Sequence, residues 1–184
     1  MTHGIRTTLL STIVATACAA ALPAAMAQEA VQRESRDSTA LSVLATVDQD
    51  EIDAAKLALK KGVTGEVKVY AEMMVRDHTA NLSATTSLSA TPNLRAPSLA
   101  RDGAVDLQKK ADAALMAKLT PLEGKAFEKA YIDGMVEGHA QVLAKLDNEL
   151  LPKARDAKVK AHLTKTRAAV SMHLDHARKL QGQR

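Results

Sequence analysis

Four long stretches of this chain space their apolar residues at steps of three and four, and no stretch alternates apolar with polar. That period belongs to helices with one buried face, whereas a half-buried strand repeats every second residue. The chain is therefore expected to be all-α. Leu41, Leu44, Ile52, Ala55 and Leu59 mark a first helix over about residues 38–61. Gly62 and Gly65 signal a tight turn. Val67, Ala71, Met74, His78 and Leu82 carry a second helix over about 66–89. Ile132, Met135, His139, Val142 and Leu146 carry a third, which reaches about Leu150 before Pro152. Val159, Leu163, Val170, His173, Ala177 and Leu180 carry a fourth over about 156–180.

The connections set the topology. Short turns pair the first helix with the second, and the third with the fourth, as antiparallel hairpins. Between the hairpins lies a linker over 91–103 with Pro92, Pro97 and Gly103, then a shorter helix over about 105–119. At 1.5 Å per residue a 15-residue helix covers roughly 22 Å, most of the length of a bundle. One long crossover carrying a short extra helix fits a ferritin-like four-helix bundle. Thr120-Pro121-Leu122-Glu123 reads as a capping box that opens the third long helix.

The N-terminus reads as a signal. Arg6 gives a basic start, the run Leu9 to Ala21 has no charge, and Ala25-Met26-Ala27 has the small-x-small form of a cleavage site. Residues 1–27 are expected to be a cleaved signal peptide, 28–37 a flexible tail, and 38–184 the bundle domain. Cys18, the sole cysteine, leaves with the signal, so the mature chain has neither disulfides nor thiol chemistry. The 157 residues that remain suffice for one domain with a real core. The expected location is periplasmic or secreted, with outer-membrane association open.

Removing Arg6 takes the net charge from +4 to +3, and the charges are interleaved. With two Tyr, one Phe and no Trp, the chain offers no platform for base stacking, so nucleic acid is not an expected partner. No polybasic block favours a membrane surface, and no transmembrane segment is expected after cleavage. Envelope proteins or further copies of the chain are the expected partner classes.

His78, His139 and His173 stand one per long helix, each in phase with the apolar stripe. Inward ionisable groups are costly unless paired or ligated. Glu51, on the first helix, can join them as a fourth ligand, with Asp48, Asp77, Met74, Met135 and His176 as flanking groups. Folding the first hairpin about Gly62 places His78 opposite Val47 or Asp48. Folding the second places His139 about four residues from the level of His173. The set is rich in imidazole and poor in carboxylate, which suits Zn, Cu or a single Fe. Asp77-His78 and Glu137-Gly138-His139 lack the Glu-x-x-His spacing of a carboxylate-bridged di-iron centre. Met74/His78, Met135/His139 and Met172/His176 repeat a Met-x-x-x-His spacing that favours copper, although Met is also a common bundle filler. The competing reading makes each histidine a packed, hydrogen-bonded core residue. His162, among Lys and Thr, is expected at the surface. Tyr70, Tyr131 and Phe127 have core phase.

The chain resembles the exported bacterial proteins grouped as domain of unknown function 4142, often labelled predicted outer membrane proteins. The resemblance rests on Gln49-Asp50-Glu51-Ile52, on the run from Glu66 to Asn81, on Gly124 through Tyr131 with Met135, Val136 and His139, and on His173 with Ala177. It covers nearly all of the mature chain. The stretch from Thr91 to Ala100, and Glu128 where Asp is common, depart from it. The resemblance implies a ferritin-like fold and an exported location, and it implies no activity.

A nucleophile elbow, a P-loop, a dinucleotide fingerprint and His-Glu-x-x-His are all missing from the sequence. Hydrolase and transferase chemistry therefore lack support, and an enzyme is not the expected reading. Two readings stand ahead of a metal-dependent redox enzyme. One is an exported bundle that binds a transition metal or small ligand for storage, buffering or stress protection. The other is an envelope structural or stress protein that acts through its surface.

Overall fold

The structure is a computed structural model that describes residues 21–94 and 103–183. Residues 1–20, with Arg6, Cys18 and most of the signal-like apolar run, lie outside the described residues, as does 95–102 of the linker. The described chain is all-α, with no strand among its residues. Helices α1 (Ala21–Lys60) and α2 (Gly65–Ser89) form one hairpin, followed by a 3-10 turn (Pro92–Leu94). Helix α3 (Gly103–Leu119) leads to α4 (Gly124–Lys145). A π-helical turn (Leu146–Leu150) and the short α5 (Leu151–Lys153) connect α4 to α6 (Ala157–Gly182). The main packing pairs are α1 with α2, α4 with α6, α2 with α6, and α3 with α1 and α4. No helix among the described residues is long and apolar enough to cross a membrane.

The first turn forms as its glycines predict. Gly62 takes φ +72° past the end of α1, and the Val63 amide donates to the Ala58 carbonyl, a glycine-terminated helix end. Helix α1 begins further upstream than the sequence suggests and runs through residues 28–37. Burial sets in at Asp37. Its carboxylate accepts the backbone N–H groups of Arg155 (2.9 Å) and Asp156 (2.8 Å), which ties α1 to the start of α6. Asp156 in turn caps α6, accepting from the amides of Lys158 and Val159.

The capping box at Thr120 does not form. The Thr120 hydroxyl donates back to the Met116 carbonyl, and α4 starts at Gly124 with no side-chain cap from Glu123. The reason is Lys61, whose ammonium pairs with the Glu123 carboxylate and also donates to the Thr120 carbonyl at 2.9 Å. A tertiary contact thus takes the group that the local motif would have used. Pro152 also behaves differently from its expected role. It follows directly on the π-helical turn, and helical structure continues through it to Lys153.

The apolar core has two parts. One surrounds Tyr70, Met74, Phe127, Tyr131, Met135 and Leu119. The other surrounds Leu41, Leu44, Leu146, Val159, Leu163 and Val170. On each of the four long helices a polar stretch separates them: Asp48 to Glu51 on α1, His78 on α2, His139 on α4 and His173 on α6.

Candidate metal centre

The three histidines meet in that polar layer. All are buried, and each can present one ring nitrogen so that the three nitrogens lie within 4.8 Å of one another. Ring centroids are 5.9 Å apart for His78 and His139, 5.2 Å for His78 and His173, and 5.6 Å for His139 and His173.

Each ring is held by one nitrogen. His78 Nδ1 donates to Asp48 Oδ1 at 2.8 Å. His139 Nδ1 donates to the Met135 carbonyl, one turn back on α4, at 2.9 Å. His173 Nε2 donates to Asp77 Oδ2 at 3.1 Å. The other nitrogens, Nε2 of His78, Nε2 of His139 and Nδ1 of His173, are buried and have no hydrogen-bond partner. A neutral imidazole whose N–H is fixed by a carboxylate or carbonyl must carry its lone pair on the opposite nitrogen. Metal-ligating histidines are oriented in this way.

The supports are themselves tied down. Asp48, 1% exposed, accepts from Asn81 Nδ2 through both oxygens, at 3.1 and 2.9 Å. Asn81 Oδ1 accepts from the Thr166 hydroxyl at 2.9 Å. The Thr85 hydroxyl donates to the Asn81 carbonyl, which leaves it to accept from His162 Nε2 at 2.8 Å. His162 is therefore a buried member of the polar layer, not the surface residue its neighbours suggest. Asp77 is also held by Arg76, at 2.8 Å.

Glu51 comes close but does not join the group of three. Its Oε1 lies 3.6 Å from His139 Nδ1, the nitrogen already bonded to Met135. Its Oε2 and the Tyr131 hydroxyl are buried without partners. Met74 and Met135 are buried in the apolar part of the core, whereas Met172 is about half exposed, so the three Met-x-x-x-His pairs do not share one environment. His176 stacks edge-on against Tyr70 at 5.2 Å, away from the group of three. The Tyr70 hydroxyl makes a 3.4 Å bond to the His173 carbonyl.

Electrostatics divide the histidines. Burial holds His139 down to about 3, helped by the charge of His78. Burial also lowers His173 to about 4, against the pull of Asp77. At neutral pH both are lone-pair donors. Burial opposes a charge on His78, but the Asp48 hydrogen bond and the charge of Glu51 outweigh it and raise the pKa. Burial pushes Glu51 up to about 7 although His78 pulls the other way. A cation at this level would meet two neutral imidazoles and a third that must shed any proton it carries.

Comparison with curated proteins and with solved structures finds no match. The family whose pattern the chain fits is a domain of unknown function, and the fit covers residues 20–180, nearly the whole described chain. An all-α chain with three convergent buried histidines is thus a member of the family described as Domain of unknown function (DUF4142).

Proposed function

We propose that this chain is an exported, ferritin-like four-helix bundle that holds one transition metal ion through His78, His139 and His173, for storage, buffering or stress protection. The observation that carries the reading is the pairing on each ring of one anchored nitrogen with one bare, buried nitrogen. A buried acceptor without a partner costs about 1–3 kcal/mol. Three such acceptors at one level, with Oε2 of Glu51 nearby, make a site that a cation relieves. Three imidazoles suit Zn, Cu or Fe, and three protein ligands leave a coordination position for water or a small ligand. A Zn–N bond of about 2.0–2.1 Å places tetrahedral ligands about 3.3 Å apart, so the rings would draw together on binding. The signal-like N-terminus supports a periplasmic or secreted location.

The second reading, a structural envelope protein, draws on the Asp48–Asn81–Thr166 network, which satisfies polar groups whether or not metal binds. Metal content by mass spectrometry on protein exported without a His tag separates the two. The metal reading expects near-stoichiometric Zn, Cu or Fe that disappears in His139→Ala while the apo fold persists. Metal-free protein with no thermal shift on adding any of the three ions would leave the structural reading.

A further inference from the structure

On one side of the molecule a groove comes within one residue, Glu51, of the layer of histidines. Helix α3 lies across α1 and α4, and between α3 and α4 runs a groove of about 490 Å³. Carboxylates from three helices line it: Glu51 of α1, Asp112 of α3 and Glu137 of α4. Glu51 is the innermost, with a side chain 11% exposed, and it also stands 3.6 Å from the ring of His139. The same residue therefore belongs to the groove and to the edge of the metal centre.

Two glycines of α4 shape this passage. At Gly134 a Cβ would lie 2.5 Å from Leu115 Cδ1, so the missing side chain seats α3 against α4. One turn on, at Gly138, a Cβ would meet only Glu51 Oε1, at 3.7 Å. The missing side chain at 138 thus leaves Glu51 open to the groove, and a large side chain there would stand in front of it.

We propose that this groove is the route by which a divalent cation reaches His78, His139 and His173, with Glu51 as the carboxylate that hands it inward. The inference rests on the metal reading above. The charge order favours a cation over an anion. Lys118 and Lys145 also line the groove, but among the described residues neither forms an ion pair with its carboxylates. The innermost group is a carboxylate with one oxygen lacking a partner, and it stands beside the ring of His139, whose other nitrogen is bare. An anion would have to pass Glu51, whereas a dication exchanges water for carboxylate oxygen and then for imidazole nitrogen.

The test is the rate at which the full-length apo protein takes up Co²⁺, followed by stopped-flow absorbance, with release measured by chelator competition. The variants are Asp112→Asn with Glu137→Gln, Glu51→Gln alone, and Gly138→Leu. A route carries ions in both directions, so uptake and release are expected to slow together, by about tenfold. Stoichiometry and the spectrum of the bound ion stay as in the parent for Asp112→Asn with Glu137→Gln, whose residues lie outside the metal centre. Lys118→Gln with Lys145→Gln is expected to speed uptake. A parent protein that takes up no Co²⁺ overturns the metal reading itself. A parent that loads, with groove variants loading equally fast, overturns the route alone. Should Gly138→Leu not fold, the isosteric carboxylate variants decide the matter.

Discussion

Asp48 Oδ1 and His78 Nδ1 meet at 2.8 Å across the α1–α2 hairpin, and this contact fixes which nitrogen of His78 is bare. The carboxylate is almost wholly buried and is itself held by Asn81. Asp48→Asn keeps the shape but removes the charge and frees the imidazole to adopt either tautomer. Loss of such a supporting carboxylate typically costs 10–100-fold in metal affinity. Isothermal titration with Zn²⁺ is expected to show a fall of about that size. Nitrogen-detected NMR of the histidine rings at alkaline pH gives an independent check in the apo protein: the Nδ1–H form of His78 should dominate in the parent and lose ground in the variant.

His139 and His173 make the fold sensitive to mild acid. Their pKa values lie at about 3 and about 4, below the ordinary value of 6.5, because burial disfavours their charged forms. The unfolded chain binds protons at these positions first. Their contribution to stability is therefore full above pH 6.5 and falls as pH drops from there toward 4, against the opposite contributions of Glu51 and His78, whose folded pKa values are raised. Each histidine contributes a slope approaching about 1.4 kcal/mol per pH unit. Urea denaturation of the apo protein at pH 7, 6 and 5 measures it, and His139→Gln should flatten the decline. A His139→Gln variant with the same pH dependence as the parent would contradict the burial of this ring.

Residues near the tight turn were legible in the sequence, and those reached through longer connections were less so. Counting outward from Gly62 places His78 opposite Val47 or Asp48, and the structure has Asp48 there, because a short turn leaves little freedom in level. His139 and His173 look offset by four residues, yet their rings are 5.6 Å apart. The π-helical turn at Leu146–Leu150 and the continuation to Lys153 change the rise per residue, and no local rule announces either. His162 looks exposed in sequence because Lys160, Thr164 and Lys165 stand close to it. Its spacing of three from Val159 and four from Thr166, both buried, was the available signal. Glu51 was read as a fourth ligand, and the structure sets it beside the committed nitrogen of His139 instead. That distinction depends on side-chain direction, which periodicity does not encode.

Asp37 is expected to matter more for stability than an acidic residue within a helix usually does. Its two oxygens take the amides of Arg155 and Asp156, which otherwise have no partner at the junction between α5 and α6. Asp37→Ala leaves both donors unsatisfied in a partly buried place, at about 1–3 kcal/mol for a lost bond of this kind. Chemical denaturation should show that loss. Asp37→Asn, which keeps one acceptor, should lose less. Hydrogen exchange at Arg155 and Asp156 should rise in both variants, a local effect that a general loss of packing does not produce.

The α1–α3 contact is expected to weaken in alkali. Asp50 of α1 faces Asp112 of α3, and two carboxyls can share a bond only if one keeps a proton. Burial, then this bond and the charge of Asp112, raise Asp50 to about 8 from an ordinary 3.8. The sign follows from that direction. The folded chain holds a proton that the unfolded chain releases, so this contribution is full below about pH 4 and is lost as pH rises through about 8. It opposes the trend of the histidines, and the two separate by position: the histidines act on α2, α4 and α6, and Asp50 on the docking of α3. Hydrogen exchange along α3 at pH 6 and pH 9 reads it directly, with protection falling at the higher pH. In Asp112→Asn the amide donates to Asp50 without needing a shared proton, so α3 should stay equally protected at both values. A parent protein whose α3 protection does not change with pH would rule out a proton-dependent clamp.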